Sequence, residues 1–227
     1  ISLMSKKILL AGASGLVGSN ILQVLNNNKS ELILLSRKKI RDEKNIKELI
    51  TNFDNIREIN YQETIDEVYI AIGKKLSLFE LMYIKKENRR SFQKVDYDYI
   101  KSIAEFALSR GAKSIALVSA VGADKNSKNL YLNVKGKVEE EILSLDFEKV
   151  VIARPSHLLG ERANERINLI VFIFEKITNL TGYFLIGPLS KFRNVHAKKV
   201  ARSLVSKMNN NEIKGKQILY YDDFKNY

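Results

Sequence analysis

The sequence predicts an α/β fold: a single domain on a doubly wound, mostly parallel sheet, with helices on both faces and a small C-terminal region on the substrate side. Two patterns lead to this reading. Short, continuously apolar runs of strand length alternate with stretches of helical periodicity, which is how strands buried on both faces of a parallel sheet read. The first run, Lys7-Ile8-Leu9-Leu10-Ala11, ends in Gly12, Gly15 and Gly18, spaced three apart, and the apolar positions after them fit one face of a helix. A chain of 227 residues has room for one sizeable core, so residues 1–227 are expected to form one unit.

Taken in order, Asn26-Asn27-Asn28 breaks the first helix, and Glu31 to Leu35 is a second strand ending in Ser36-Arg37-Lys38-Lys39. Residues 43–52 carry a weak helical pattern, and Asn55 to Tyr61 is taken as a third strand. Glu67 to Gly73 reads as a fourth strand closing on glycine. The segment 74–94, expected with 156–192 to form the substrate side, interrupts the alternation before a helix from about Val95 to Arg110, capped by Gly111. Ile115 to Ser119 is a fifth strand, Tyr131 to Leu145 a helix of good formers, and Val150 to Ala153 a sixth strand stopped by Arg154-Pro155. Arg166 to Leu180, with six consecutive apolar residues from Leu169 to Phe174, is too short to span a bilayer and is expected to be a buried helix. Gly182 to Pro188 connects it to a helix over Val195 to Met208, and Gln217 to Tyr221 closes the chain as a short strand.

Composition removes several classes of function. The 45% hydrophobic share is that of a soluble globular protein, and no membrane span is expected. With no cysteine there is no disulfide, thiolate metal site or catalytic thiol, and with two histidines a metal site is not expected either. Lys6-Lys7 ahead of an apolar run looks like a secretion signal, but the run is short and breaks into the glycine turn. Met4 could be a natural start, with Ile1 to Leu3 upstream of it. A cytoplasmic location is the expectation. Lys and Arg outnumber Asp and Glu, 38 to 26, but the surplus is dispersed. Its densest patch is 74–94, where Lys74, Lys75, Lys85, Lys86, Arg89, Arg90 and Lys94 stand against Glu80 and Glu87. No nucleic-acid motif surrounds it, so nucleic acid is not an expected partner. Nothing in the sequence assigns an oligomeric state.

The glycines point to phosphate. Gly12 lets the chain leave the strand with an unusual backbone angle, Gly15 lets a pyrophosphate approach, and Gly18 lets the helix pack closely. Free amides and the helix dipole then face an anion, which makes Gly12, Ser14, Gly15, Leu16, Val17 and Gly18 candidate cofactor contacts. An ordinary tight turn is the plain alternative. At the end of the second strand of a dinucleotide fold, a carboxylate suits a free ribose 2′-hydroxyl and a cation suits a 2′-phosphate. Ser36, Arg37 and Lys38 include no carboxylate, which favours NADP over NAD, a solvated basic turn being the alternative. The crevice between the first and fourth strands is the switch point where the cofactor lies, so Ala71, Ile72 and Gly73 are expected to line it.

Chemistry is suggested by Tyr131 and Lys135, four apart on one helix face, with Ser119 at the end of the preceding strand. A phenol ionises near pH 10. An adjacent ammonium and a nicotinamide cation lower that value, so Tyr131 could exchange a proton with a carbonyl oxygen while hydride moves on its other side. Ser119 would orient that oxygen, and Lys135 would tune Tyr131 and hold the nicotinamide ribose. His196 starts a helix, and Asp96, Asp98 and Asp124 read as turn or helix caps without a catalytic role.

These residues form a recognisable set: Gly12 to Gly18, then Leu117-Val118-Ser119-Ala120-Val121-Gly122-Ala123-Asp124, Leu130 to Glu139 around Tyr131 and Lys135, and Arg154-Pro155-Ser156-His157-Leu158-Leu159-Gly160. The chain resembles the atypical short-chain dehydrogenase/reductases, and among them the oxidoreductases related to the Tat-interacting tumour suppressor. The resemblance covers most of the chain and implies an NADP(H)-binding Rossmann fold, with Pro155 to His157 near the nicotinamide. For His157 an ordinary loop histidine is the alternative. The chain departs from relatives in two places: residues 95–110 lack the asparagine that many short-chain enzymes use to relay protons, and 74–94 is longer and more basic. The function expected is hydride transfer between NADPH and a small carbonyl or alcohol. The alternative is a non-catalytic NADP(H)-binding regulator that senses redox poise.

Overall fold

A computed structural model of the chain describes residues 5–27, 30–40, 46–160 and 187–227. Seven strands form one sheet in the order β3-β2-β1-β4-β5-β6-β9, and every neighbouring pair is parallel. They are β1 (Lys7–Ala11), β2 (Glu31–Ser36), β3 (Ile46–Ile50), β4 (Glu67–Ile70), β5 (Ser114–Val118), β6 (Lys149–Ala153) and β9 (Gly215–Leu219). A separate two-stranded ladder joins β7 (Leu158–Leu159) to β8 (Val195–His196). The switch point lies beside β1, where Leu9 stands opposite Ile33 of β2 and Val68 of β4.

Side chains alternate across the pleat and fill two cores. Leu9, Ile33, Val68, Ile115 and Ile152 face α4 (Tyr99–Ser109) and α5 (Leu130–Ser144). Ile8, Leu10, Leu32, Leu34 and Val151 face α1 (Leu16–Asn26) and α6 (Ala197–Asn209). Both faces are covered, which is why the strands read as unbroken apolar runs.

The structure corrects four of the sequence expectations. Residues 46–50 are an edge strand, not a helix. Ile46, Leu49 and Ile50 have helix-like spacing, but β3 pairs with β2 and leaves Ile50 about half exposed. Residues 53–58, overlapping the strand expected over Asn55 to Tyr61, form a 3₁₀ turn that buries Phe53 and Ile56, three apart, on one side. Segment 74–94 contains α2 (Leu78–Met82) and α3 (Lys86–Gln93), so helix begins well before Val95. The last strand runs two residues earlier than expected, and Tyr221 belongs to α7 (Tyr221–Phe224). The helix expected over Arg166 to Leu180 lies outside the described residues. No helix among the described residues is long and apolar enough to cross a membrane.

Candidate active site

At the end of β1 the chain turns at Gly12 with φ +95°, a conformation that L side chains rarely adopt. The amide of Gly15 donates to the Gly12 carbonyl at 2.9 Å and closes the turn. Gly15 is also the N-cap of α1, and no side chain caps that helix end, so its first amides are left for another acceptor. Gly18 is fixed by close approach: a Cβ there would stand 2.0 Å from the Gly12 carbonyl oxygen. This is the tight turn and close packing that the glycine spacing implies.

The turn forms one wall of a cavity of about 380 Å³ at the switch point. Ser14, Gly15, Leu16 and Val17 line it on the α1 side, and Ala71, Ile72 and Gly73 line it beyond the end of β4. Ser119, Tyr131 and Lys135 line it as well, so the sequence-predicted proton-transfer group and the phosphate turn share one space. Gly12 and Gly18 shape the wall from behind.

Lys135 is buried, and its Nζ lies 2.9 Å from Oδ1 of Asp96, itself only 2% exposed on its side chain. Oδ2 of Asp96 accepts the amide of Lys74 at 2.7 Å. Asp96 sits in a π-helical turn, Lys94–Asp98, between α3 and α4. The reading of Asp96 as a cap with no part in the site is therefore corrected: it is the direct partner of Lys135. Burial alone would pull the Lys135 ammonium down, but the Asp96 carboxylate, together with Tyr131 and Glu139, offsets it and the net direction is upward. Burial pushes the Tyr131 phenol above its ordinary value, Lys135 pulls it back, and Asp96 pushes it up again. The phenol is therefore raised where the Tyr-Lys spacing alone led to a lowered one, first because it is buried and then because Asp96 offsets part of the Lys135 charge. A phenol held in its protonated form suits a proton donor.

Ser119 belongs to a second buried network. Its hydroxyl donates to Oε1 of Glu139, a residue 2% exposed. Arg154 donates from Nε to both Glu139 oxygens at 3.0 Å and from Nη1 to the Tyr220 hydroxyl at 3.0 Å. In this arrangement Ser119 turns its proton away from a substrate oxygen and must rotate to donate to one. Glu139 was legible in principle: Tyr131, Lys135 and Glu139 recur every four residues, a stripe along one face of α5. Asp96 carries no comparable sequence signal, because the π turn shifts it off the α-helical period.

The remaining predicted cofactor residues lie outside this cavity. Ser36 is buried and donates to the Lys38 carbonyl at 2.7 Å, shaping the turn after β2. Arg37 and Lys38 are exposed there, the Arg37 guanidinium 6.0 Å from the centre of the Phe53 ring. Pro155 is buried, with its carbonyl accepting the Val121 amide at 2.9 Å. His157 is half-buried at the start of β7, and from this segment it is Leu158 that reaches the cavity. Lys74, Lys75, Leu76 and Leu81, from the segment 74–94 expected on the substrate side, also line it, though the sequence marks none of them as a cofactor or catalytic residue.

The chain belongs to the NAD dependent epimerase/dehydratase family, whose model matches residues 8–129, and its fold is of the short-chain dehydrogenase type. Over 216 residues it is 32% identical to Protein FMP52, mitochondrial, of Candida albicans, covering 94% of each chain. Over 173 residues it is 31% identical to Protein HTATIP2 of Rattus norvegicus, covering 72% of this chain and 67% of that protein. The subfamily resemblance read from the motifs is thus borne out. Among solved structures, MoeE5 in complex with UDP-glucose and NAD has the same fold, with a TM-score of 0.69 at 14% identity over 94% of this chain and 75% of that one. The expected cytoplasmic location is corrected, because the FMP52 relatives carry "mitochondrial" in their names.

Proposed function

We propose that this protein is an NADP(H)-dependent oxidoreductase that reduces a small carbonyl compound or oxidises the corresponding alcohol. The observation that carries the reading is the shared cavity, in which the buried Tyr131-Lys135 pair and Ser119 face the glycine turn at the end of β1. The residues fit a dinucleotide. The turn is a cradle that a Cβ would fill, the uncapped start of α1 suits a pyrophosphate, and Arg37 and Lys38 suit a 2′-phosphate. When bound, NADPH supplies the hydride that reaches the carbonyl carbon. Tyr131 gives its phenol proton to the carbonyl oxygen, and the Lys135 ammonium stabilises the phenolate left behind. Ser119, turned from Glu139, orients the same oxygen. Kinship with the FMP52 proteins supports a mitochondrial setting.

Tyr131→Phe should lower turnover of NADPH with a panel of small aldehydes and ketones by about a hundredfold or more. NADPH affinity, followed by its fluorescence, should change only a few-fold. Turnover that survives the substitution would rule the mechanism out. Arg37→Glu should weaken NADPH binding by about tenfold or more while leaving NADH nearly unaffected, since one charge-assisted contact to the extra phosphate is lost. Equal loss for both nucleotides would assign Arg37 elsewhere.

One observation favours a second reading, a nucleotide-dependent regulator: Ser119 and Lys135 are already satisfied by Glu139 and Asp96. NADPH binding without turnover on any carbonyl, together with a protein partner retained only when NADPH is present, would favour it.

A further inference from the structure

A second cavity, of about 360 Å³, shares Tyr131 with the first. The short helix α2 borders both, giving Leu81 to the first and Glu80 and Met82 to the second. Its end is tied to the start of α5 by Asn129, whose side-chain amide donates to the carbonyls of Leu81 and Met82 at 2.9 and 3.1 Å. Arg89 lines this second space. Its Nε donates to the Ile84 carbonyl at 3.0 Å, and its guanidinium stacks 5.5 Å from the centre of the Tyr83 ring. The side chain is thereby held by its stem, and both terminal nitrogens make no ion pair among the described residues.

Glu80 is the carboxylate nearest to hand, and it is otherwise engaged. It caps α2 by accepting the amide and hydroxyl of Ser77, both at 2.9 Å. Those bonds hold it below the usual carboxylate range, the Ser77 amide contributing most. Lys128 adds a second cation on the exposed rim, while Met82 and Tyr83 offer apolar surface.

Resting on the oxidoreductase reading above, we propose that this cavity takes the tail of the substrate, and that the substrate is a carbonyl compound with an apolar body ending in a carboxylate bound by Arg89. An oriented guanidinium with two free nitrogens matches a carboxylate as a fork. A doubly charged phosphate would face Glu80 with only one anchored cation. The shared Tyr131 puts the carbonyl end of such a molecule beside the phenol.

The test uses NADPH-loaded protein with succinic, adipic and suberic semialdehydes and their methyl esters. At the chain length that spans from Arg89 to Tyr131, the acid should exceed its ester in kcat/KM by about tenfold or more, mainly through KM. Arg89→Gln should erase that preference by bringing the acid's kcat/KM down to that of the ester, and a melting temperature close to that of the wild type shows that the variant is folded. Equal use of acid and ester at every length, or equal loss for both in the variant, overturns the proposal. If no compound is turned over, the redox reading itself fails and binding decides the cavity separately. By titration calorimetry, monomethyl suberate should then bind at least about tenfold more tightly than dimethyl suberate, and only through Arg89. Equal binding of the two overturns the assignment.

Discussion

Asp96→Ala should destabilise the protein by about 3–5 kcal/mol, the cost of leaving a buried ammonium without its counter-charge. Lys135 and Asp96 are 7% and 2% exposed on their side chains and 2.9 Å apart, so water does not replace the lost carboxylate. The amide of Lys74 loses its acceptor in the same step. Asp96→Asn keeps the shape and an acceptor oxygen, so it should cost less. Urea unfolding of the three proteins at neutral pH measures this, and a loss below about 1 kcal/mol for the alanine variant would mean that Lys135 is already neutral or finds another acceptor. The pH dependence has a definite sign. Lys135 is held above its ordinary 10.5, so its pairing contributes fully below that value and is lost as the pH rises through the folded-state value. In the alanine variant burial pulls Lys135 down without its counter-charge, so the gap between wild type and variant should narrow as the pH rises from the variant's lowered value toward the unfolded 10.5. In either variant the phenol of Tyr131 loses a nearby negative charge, and any pH profile that reports its ionisation should move to lower pH.

Gly18→Ala is expected to be equally severe for a different reason. The added methyl would sit 2.0 Å from the Gly12 carbonyl oxygen and 2.6 Å from its carbon, both backbone atoms. Gly12 cannot retreat, since its own position already lies against the backbone of Ala71. The start of α1 must move outward instead, at a cost of about 3 kcal/mol or more. Displacing that helix end removes its amides from the cavity, so NADPH affinity should fall by about tenfold or more. A variant that melts near the wild type and binds nucleotide normally would refute the rigid cradle.

The fold was largely legible because parallel strands buried on both faces write themselves as apolar runs: Ile8 to Ala11, Leu32 to Leu35, Val68 to Ile70 and Val150 to Ala153 all lie in the sheet. The edge was not, because Ile46 to Ile50 packs weakly and its spacing fits a helix as well as a strand. For the candidate site, the glycine turn, Ser119, Tyr131 and Lys135 could be named from spacing along single elements. Asp96 could not, since its importance arises from a π turn that brings a distant element onto Lys135. Arg154 and Tyr220 lie 66 residues apart and meet only through the sheet. Location was misjudged because no local pattern stands for it.

The contact between Arg154 and Tyr220 ties distant parts of the sequence to one site. The nucleotide cradle is made by β1, α1 and β4, complete within the first third of the chain. Ser119 is held by Glu139, Glu139 by Arg154, and Arg154 by Tyr220 just beyond β9. The glycine turn thus comes from the start of the sequence and the brace on Ser119 from beyond β9, and Tyr220 is the clasp that joins the two.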